Sequence, residues 1–343
     1  MRLSYNQICS VTLGAVRMEQ TNGEIRFFRF SEQEQQMYHM RREESWLRSF
    51  ATAGIRLEFD TDTSFLTFEA EIYPSTSRRF FTHSIFVNGE RIGEISGVLP
   101  DDVQKMRIKK QFVLAPGKKR ISILLPWSVE SRLLALELSD GAWLAPVKKA
   151  RKLLSYGDSI TQGYDAEKPE NAYIVRLADW LNAELICKAI GGERFCPQLV
   201  QLCEVSDPDL ITVAYGTNDW SLSGREEFLH DSRAFFRILA NRFPDIPIIA
   251  LAPIWRADIH RQTNVGNLAE IAAYYQSIAE DIGNMTVIDC MDFVPHASDC
   301  FRDLKLHPND RGFECYANTL IERIISTRIT VCYNHKNLFG DLL

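Results

Sequence analysis

The hydrophobic period of the chain changes near residue 150, and this change limits the possible folds most strongly. Before it, segments such as "GIRLEFD" and "LTFEAEIY" alternate apolar and polar residues, which is typical of strands with one buried face. After it come short apolar runs, which are typical of strands buried on both faces: "KLLSYG", "ELICKAI", "LITVAYG", "IPIIALAPI" and "MTVIDC". Amphipathic stretches separate these runs, as expected for helices that cover a parallel sheet.

The pattern therefore predicts two domains and a tail. Residues 1–145 are expected to form an all-β sandwich of the jelly-roll kind, since short strands and turns follow one another closely. Residues 150–328 are expected to form an α/β domain around a doubly wound, parallel, five-stranded sheet, and residues 329–343 are a C-terminal tail. The linker is predicted within "SDGAWLAPVKKAR".

Two local features refine the prediction for the first domain. Asn88-Gly89 stands between two strand-like runs, and this pair is a strong hairpin signal because both residues tolerate positive φ. The segment "SEQEQQMYHMRREE" interrupts the strand pattern, and the sequence alone fits either a helix or a long polar loop.

Composition excludes several classes of function. The formal net charge of −6 argues against a nucleic-acid partner, because phosphate binding needs a concentrated basic surface. No segment approaches the roughly 20 apolar residues of a membrane helix, and the N-terminus lacks a signal-peptide core. The eight cysteines form no CxxC pair, so we expect free thiols, no metal site and a cytoplasmic location.

Small polar motifs follow the apolar runs of the second domain. They are Gly157-Asp158-Ser159, Gly191-Gly192, Asn218-Asp219 and, after the last run, His307. The carboxyl ends of parallel strands lie at one edge of a sheet, so these residues are expected to converge there. For Ser159, one interpretation is a nucleophile and the other is that Asp158 or Ser159 only caps the next helix.

The chemistry of ester cleavage explains this set of groups. A serine hydroxyl becomes a good nucleophile when an imidazole such as that of His307 takes its proton. The oxyanion that forms needs hydrogen-bond donors, which the backbone N–H groups of Ser159 and Gly192 and the side-chain amide of Asn218 would supply. Asp158 and Asp219 are expected to be structural, as turn and loop hydrogen-bonding residues.

The four motifs, in this order, resemble the SGNH (GDSL-type) hydrolase family over roughly residues 150–325. "GDSITQG" matches the nucleophile block, "IGG" the glycine block, "GTND" the asparagine block and "HPNDRG" the histidine block. The resemblance implies a flavodoxin-like fold and a serine esterase that uses an acyl-enzyme on Ser159 and no cofactor. A β-sandwich before such a domain further resembles two-domain acetyl esterases of plant polysaccharides, which implies a small-molecule or oligosaccharide ester as substrate.

The acid of the expected triad departs from the family pattern. The family has its acid three residues before the histidine, and Leu304 occupies that position here. Asp303, four residues before His307, is our candidate for the third catalytic residue, together with Ser159 and His307. Asp299 or a backbone carbonyl could take its place, the latter leaving a Ser–His dyad.

Two tryptophans and two further functions stay open at this point. Trp220 and Trp255 follow the third and fourth runs, and either could line the cleft as a platform for a sugar or serve as a packing residue. A lipid esterase or acyl thioesterase would use the same core. A catalytically inactive carbohydrate-binding protein is the alternative outside enzymes. The sequence carries no signature of an oligomeric state.

Overall fold

The computed structural model describes residues 1–327, so the predicted tail at residues 329–343 lies outside the described residues. The strands of the N-terminal half, within this described segment, are β1 (Thr12–Leu13), β2 (Arg17–Thr21), β3 (Glu24–Phe28), β4 (Arg56–Thr61), β5 (Phe65–Pro74), β6 (Phe80–Val87), β7 (Glu90–Val98), β8 (Met106–Val113), β9 (Lys119–Leu124), β10 (Val129–Leu138) and β11 (Leu144–Pro146).

These strands form a sandwich, as the alternating pattern predicts. Within residues 1–327, one antiparallel sheet has the order β1-β4-β9-β6-β7, with β11 also paired to β4, and the other has the order β2-β3-β10-β5-β8. Alternate residues of facing strands, such as Leu57 and Phe59 of β4 and Leu66 and Phe68 of β5, are completely buried in one shared core. Between Leu57 and Phe59, Glu58 forms ion pairs with Arg56 and Lys149.

The predicted hairpin is present, and the predicted linker is partly a strand. β6 and β7 pair around Asn88 and Gly89, whose φ angles of 51° and 83° are those that this turn requires. Within the linker segment, Leu144–Pro146 pairs with β4. The chain therefore leaves the sandwich along the edge of a sheet before it enters β12 at Arg151.

Three helices of the described chain belong to the sandwich half: α1 (Tyr5–Val11), α2 (Glu32–Arg41) and α3 (Glu43–Ser49). The polar segment that fitted a helix or a loop is helical. Ser31 and Glu34 form a capping box at the start of α2, and Arg42, in an extended conformation, separates the two helices. The pair packs on the second domain through a small apolar cluster that comprises Phe30, Tyr38, Ile190, Cys196 and Leu199.

A buried ion pair anchors this helix pair. Lys188 of the second domain donates to Glu34 at 2.5 Å, and both side chains are about 1% exposed. Replacing Lys188 by Met leaves the Glu34 carboxylate buried without its partner, so we expect the free energy of unfolding in urea to fall by about 3–5 kcal/mol. The double variant Lys188→Met/Glu34→Gln should recover part of the loss. An unchanged single variant would contradict the anchoring role.

The C-terminal half supplies a parallel sheet and its helices. Within the described residues its strands are β12 (Arg151–Gly157), β13 (Ala183–Ala189), β14 (Leu210–Ala214), β15 (Ile248–Leu251) and β16 (Met285–Ile288). Its helices are α4 (Ser159–Gln162), α5 (Tyr173–Trp180), α6 (Pro197–Leu202), α7 (Thr217–Leu222), α8 (Arg225–Arg242), α9 (Glu270–Ala279) and α10 (Asp310–Ser326), with short 3₁₀ turns at Pro169–Asn171 and Ser298–Cys300.

The sheet is doubly wound and five-stranded within residues 1–327, with the order β13-β12-β14-β15-β16 and all neighbours parallel. Helices α5 and α10 cover one face, and α6, α8 and α9 cover the other. Leu153 and Leu154 of β12 point to opposite faces and are both completely buried, as the apolar runs predict. The strand order reverses between β12 and β14, and such a switch point opens a crevice at the carboxyl ends of the strands.

The same residues test two predictions drawn from composition. No helix within residues 1–327 is both long and apolar enough to span a bilayer. The seven cysteines of this segment are free thiols, mostly buried, as predicted. The cytoplasmic location stays a prediction.

Candidate active site

Ser159 lies two residues after the end of β12 and is the first residue of the short helix α4. Asp158 is the N-cap and accepts a hydrogen bond from the backbone N–H of Ile160 at 2.9 Å. Residue 157 must be glycine because a Cβ there would lie 2.3 Å from Thr161 Oγ1. The capping role belongs to Asp158, so the Ser159 hydroxyl is left to make another contact.

That contact is with His307, which stands on the loop before α10. His307 Nε2 lies 2.9 Å from Ser159 Oγ, and His307 Nδ1 lies 2.8 Å from Asp303 Oδ2. The Asp303 carboxylate only accepts hydrogen bonds, so the Nδ1–H donates to it and Nε2 is free to accept from the Ser159 hydroxyl. The three predicted residues thus form one continuous hydrogen-bonded chain.

The loop before His307 accommodates the extra residue between Asp303 and His307. Asp303 Oδ1 accepts the backbone N–H groups of Lys305, Leu306 and His307 at 2.8–3.1 Å. Leu304 takes a left-handed conformation with a φ of 58°, which turns the backbone back toward His307. Burial raises the pKa of Asp303, but the hydrogen bonds from His307 and from these N–H groups outweigh it and hold the pKa well below its ordinary value.

The other acid considered from the sequence is not near the imidazole. Asp299 is exposed and its carboxylate lies 3.4 Å from the Arg311 guanidinium, while its backbone carbonyl accepts from the Asn309 side chain. The structure therefore brings Asp303, and not Asp299, to His307.

Gly192 lies on the loop after β13, and Asn218 lies in α7, after β14. Gly192 has a φ of 76°, a conformation that glycine adopts without strain, and its N–H has no acceptor within residues 1–327. Asn218 Nδ2 donates one hydrogen bond to the Glu193 carbonyl at 3.1 Å, which leaves its second N–H for a ligand. The oxyanion role of these groups stays a prediction.

Two buried acids support the loops, in line with the structural role expected from the sequence. Asp219 accepts the backbone N–H groups of Phe195 and Gly216 at 3.1 and 3.2 Å and so ties the glycine and asparagine blocks together. Burial raises the pKa of Asp219 to about 7 and that of Asp158 to about 6. Their backbone hydrogen bonds oppose this effect without cancelling it.

A second carboxylate beside His307 was not predicted. Asp165 Oδ2 lies 3.7 Å from His307 Nδ1, and the Asp165 side chain is almost completely buried. Arg78, from the sandwich, binds both oxygens of Asp165 at 2.6 and 2.8 Å and compensates its charge. No local motif marks this pair, because it forms only when the two domains are docked.

Asp165, Asp303 and His307 also place three potential ligand atoms within 4.8 Å of one another. Arg78 binds both oxygens of Asp165, and Asp303 is occupied by His307 and by three backbone N–H groups. The donor set is therefore engaged in protein contacts that a cation would have to displace. These contacts do not favour a metal ion.

The prediction that Trp220 lines the cleft requires correction. Its side chain is 0% exposed, and its indole N–H donates to the Gly266 carbonyl at 2.8 Å inside the core. Side chains two residues apart on a helix point to nearly opposite sides. Trp220 therefore points away from the side of α7 on which Asn218 donates to the Glu193 carbonyl. Trp255 is half-buried and stacks on the exposed ring of His296, with ring centroids 5.2 Å apart, and it stays a candidate for the cleft.

Comparisons with known proteins give a family match for the second domain. Residues 155–315 match the GDSL-like Lipase/Acylhydrolase family. No curated protein matches the chain. The match to this family supports a hydrolase of acyl groups.

Several solved structures share the fold over nearly the whole chain. A salicylyl-acyltransferase, SsfX3, from a tetracycline biosynthetic pathway is 20% identical, with a TM-score of 0.81 over 93% of this chain and 95% of its own. A putative GDSL-like lipase from Bacteroides ovatus is 18% identical, with a TM-score of 0.75 over 95% and 97%. A family two carbohydrate esterase from Cellvibrio japonicus is 17% identical, with a TM-score of 0.61 over 92% and 95%. At these identities the likeness establishes the fold alone.

Proposed function

We propose, from the premise that residues 155–315 are a domain of the GDSL-like lipase/acylhydrolase family, that the protein is a serine esterase that removes acetyl groups from carbohydrates. One observation carries the proposal. The Ser159, His307 and Asp303 side chains form a chain of hydrogen bonds of 2.9 and 2.8 Å at the switch point of the sheet. This is the arrangement that activates a serine hydroxyl.

In the first half of the proposed reaction, Ser159 Oγ attacks the acetyl carbonyl carbon while its proton passes to His307 Nε2. Asp303 holds the Nδ1–H and stabilises the imidazolium that results. The oxyanion binds to the N–H groups of Ser159 and Gly192 and to the Asn218 amide, each worth about 3–4 kcal/mol of transition-state stabilisation.

The tetrahedral intermediate then collapses. The ester C–O bond breaks, and the Nε2 proton moves to the sugar alkoxide, which leaves as an alcohol. Water attacks the acetyl-Ser159 carbonyl in the second half, and His307 takes the proton of the water and returns it to Ser159 Oγ as acetate departs. Every proton is accounted for by these side chains and water, so the proposal includes no cofactor.

Charge close to His307 favours a polar substrate over a lipid. Arg78 lies beside the imidazole, through Asp165. A long acyl chain next to this pair would have to desolvate charged groups, whereas sugar hydroxyls can form hydrogen bonds with them.

The test is ester hydrolysis over a series of acyl lengths, together with acetate release from acetylated mono- and oligosaccharides. We expect kcat/KM to fall steeply from acetyl to octanoyl esters, and acetate to be released from at least one acetylated sugar. Activity that rises with acyl length would favour the lipid esterase, and a preference for acyl thioesters would favour the thioesterase.

Covalent labelling separates an enzyme from an inactive carbohydrate-binding protein. A fluorophosphonate should form one adduct, on the peptide that contains Ser159, because only an activated serine reacts quickly with this class of reagent. Sugar binding without an adduct and without acetate release would favour the inactive binding protein.

A further inference from the structure

The proposed oxyanion donor, the Gly192 N–H, belongs to a peptide group whose carbonyl oxygen is contacted by the sandwich domain. The Gly191 carbonyl and the Gly192 N–H are parts of the same trans peptide unit, and the structure has no cis peptide among residues 1–327. In a planar trans unit the C=O and the N–H point in opposite directions. Whatever fixes the direction of the carbonyl oxygen of Gly191 therefore fixes the direction of the Gly192 N–H.

Arg48 of α3 fixes this carbonyl. Its Nη1 donates to the Gly191 oxygen at 2.6 Å, a short, charge-assisted hydrogen bond. On the other side, the Gly191 N–H donates to Gln162 Oε1 at 2.8 Å, and the Gln162 amide donates in turn to the Trp127 carbonyl at 3.0 Å. A positive donor on the carbonyl also polarises the peptide unit, which makes the opposite N–H a stronger donor.

The Gly191–Gly192 peptide depends on a contact such as that of Arg48 more than most peptides do. Glycine occupies both sides of it, and a glycine pair has wide freedom in the two dihedral angles that rotate the peptide plane. A rotation of that plane would turn the N–H out of the crevice and the carbonyl oxygen into it, where it would repel an oxyanion. The contacts to the Gly191 carbonyl oxygen therefore help to decide whether the N–H faces the oxyanion.

Helices α2 and α3, together with Arg42 between them, also make the neighbouring contacts to this loop. Arg42 Nη2 donates to the Gly192 carbonyl at 3.3 Å, and Arg41 pairs with the buried Glu193 carboxylate at 2.6 Å. Ser45 adds a hydrogen bond from its hydroxyl to Glu193 at 3.2 Å. The loop that follows β13 is therefore held by α2 and α3, outside the hydrolase domain, as well as by residues of its own domain.

We propose that Arg48 is a positioning residue that orients the Gly192 N–H for oxyanion binding, so that the sandwich domain completes the catalytic site of its neighbour. This inference rests on the proposed esterase function. It assigns to the sandwich domain a role in the chemical step.

The experiment compares Arg48→Met and Arg48→Lys in the full chain. Arg48→Met should lower kcat about 10²-fold with KM nearly unchanged, because a misaimed donor acts on the transition state and not on the bound ester. Arg48→Lys keeps a cationic donor and should recover at least tenfold of the loss. The inhibition constant of a boronic acid, which mimics the tetrahedral intermediate, should rise in Arg48→Met by the same factor as kcat falls.

Arg56→Met is the matched control. Arg56 also crosses between the domains, where it pairs with Asp179 of α5 at 2.7 Å, but it does not contact the glycine loop. We expect its kcat to stay within threefold of wild type. If Arg48→Met fails to fold, Arg48→Lys against Arg56→Met carries the comparison, with an expected kcat below that of the control.

The outcomes separate the two proposals. A wild type that hydrolyses esters, with Arg48→Met at wild-type kcat and wild-type boronate affinity, would overturn the role of Arg48 and leave the esterase in place. A parallel loss in Arg56→Met would reduce Arg48 to general domain packing. A wild type without activity or a fluorophosphonate adduct would overturn the esterase and, with it, this inference.

Discussion

Replacing Ser159 by alanine should lower kcat/KM for acetyl esters by about 10⁴- to 10⁶-fold. The substitution removes the hydroxyl oxygen that lies 2.9 Å from His307 Nε2 and leaves the backbone donors in place. Substrate binding and fold should therefore persist while covalent chemistry stops. Steady-state hydrolysis and fluorophosphonate labelling, measured on both proteins, check the expectation.

Ser155→Ala is the matched control for Ser159→Ala. Ser155 lies four residues earlier on β12, is completely buried, and accepts a hydrogen bond from Thr212 at 2.8 Å. Its loss should affect stability and leave kcat near the wild-type value. If Ser159→Ala kept more than about 1% of wild-type activity, the nucleophile would have to be another residue.

The second large effect is expected for Asp303→Asn, which should lower kcat about 10³- to 10⁴-fold with little change in KM. The Asn carbonyl oxygen can keep the three backbone N–H contacts that Asp303 Oδ1 now makes. Its NH₂ then faces His307 Nδ1 and favours the tautomer in which Nδ1 accepts. In that tautomer Nε2 carries the proton and cannot take one from Ser159.

Asp299→Asn supplies the comparison for this variant. It removes an exposed carboxylate from the same loop without a contact to His307, so its kcat should stay within twofold of wild type. If Asp303→Asn lost less than tenfold, Ser159 and His307 would be acting as a dyad. Asp165→Asn in the Asp303→Asn background would then show whether the carboxylate 3.7 Å from Nδ1 had taken over.

The sequence predicts the parts of this molecule that depend on local chemistry. Apolar runs buried on both faces mark the five strands of the parallel sheet. Two of the residues predicted to converge at its edge, Ser159 and His307, are in contact although 148 residues apart in the chain. The Asn88-Gly89 hairpin follows from the φ angles that only such residues adopt easily. The spacing of Asp303 departs from the family pattern, and the left-handed Leu304 is the physical means by which the longer loop still reaches His307.

The residues that the sequence analysis misplaced or missed lie where one helix, strand or domain packs on another. Trp220 was a candidate for the cleft because it follows a strand, although the turn of α7 carries it into the core. Arg48, Arg78 and Asp165 have no motif, because each acts across the contact between the two domains. A single sequence gives the ends of strands, and it does not give the orientation of one domain on another.

Arg29 has a consequence for how such chains can be recombined. Its guanidinium is completely buried and donates to the carbonyls of Cys187 and Ala189 in β13, and to those of Ala51 and Arg48 in its own domain. A hydrolase domain expressed alone, or fused to a foreign sandwich, would lose donors to carbonyls that are buried in the intact chain. The two domains are therefore poor candidates for domain shuffling. Substitutions at the interface between them should be inherited as matched sets rather than one at a time.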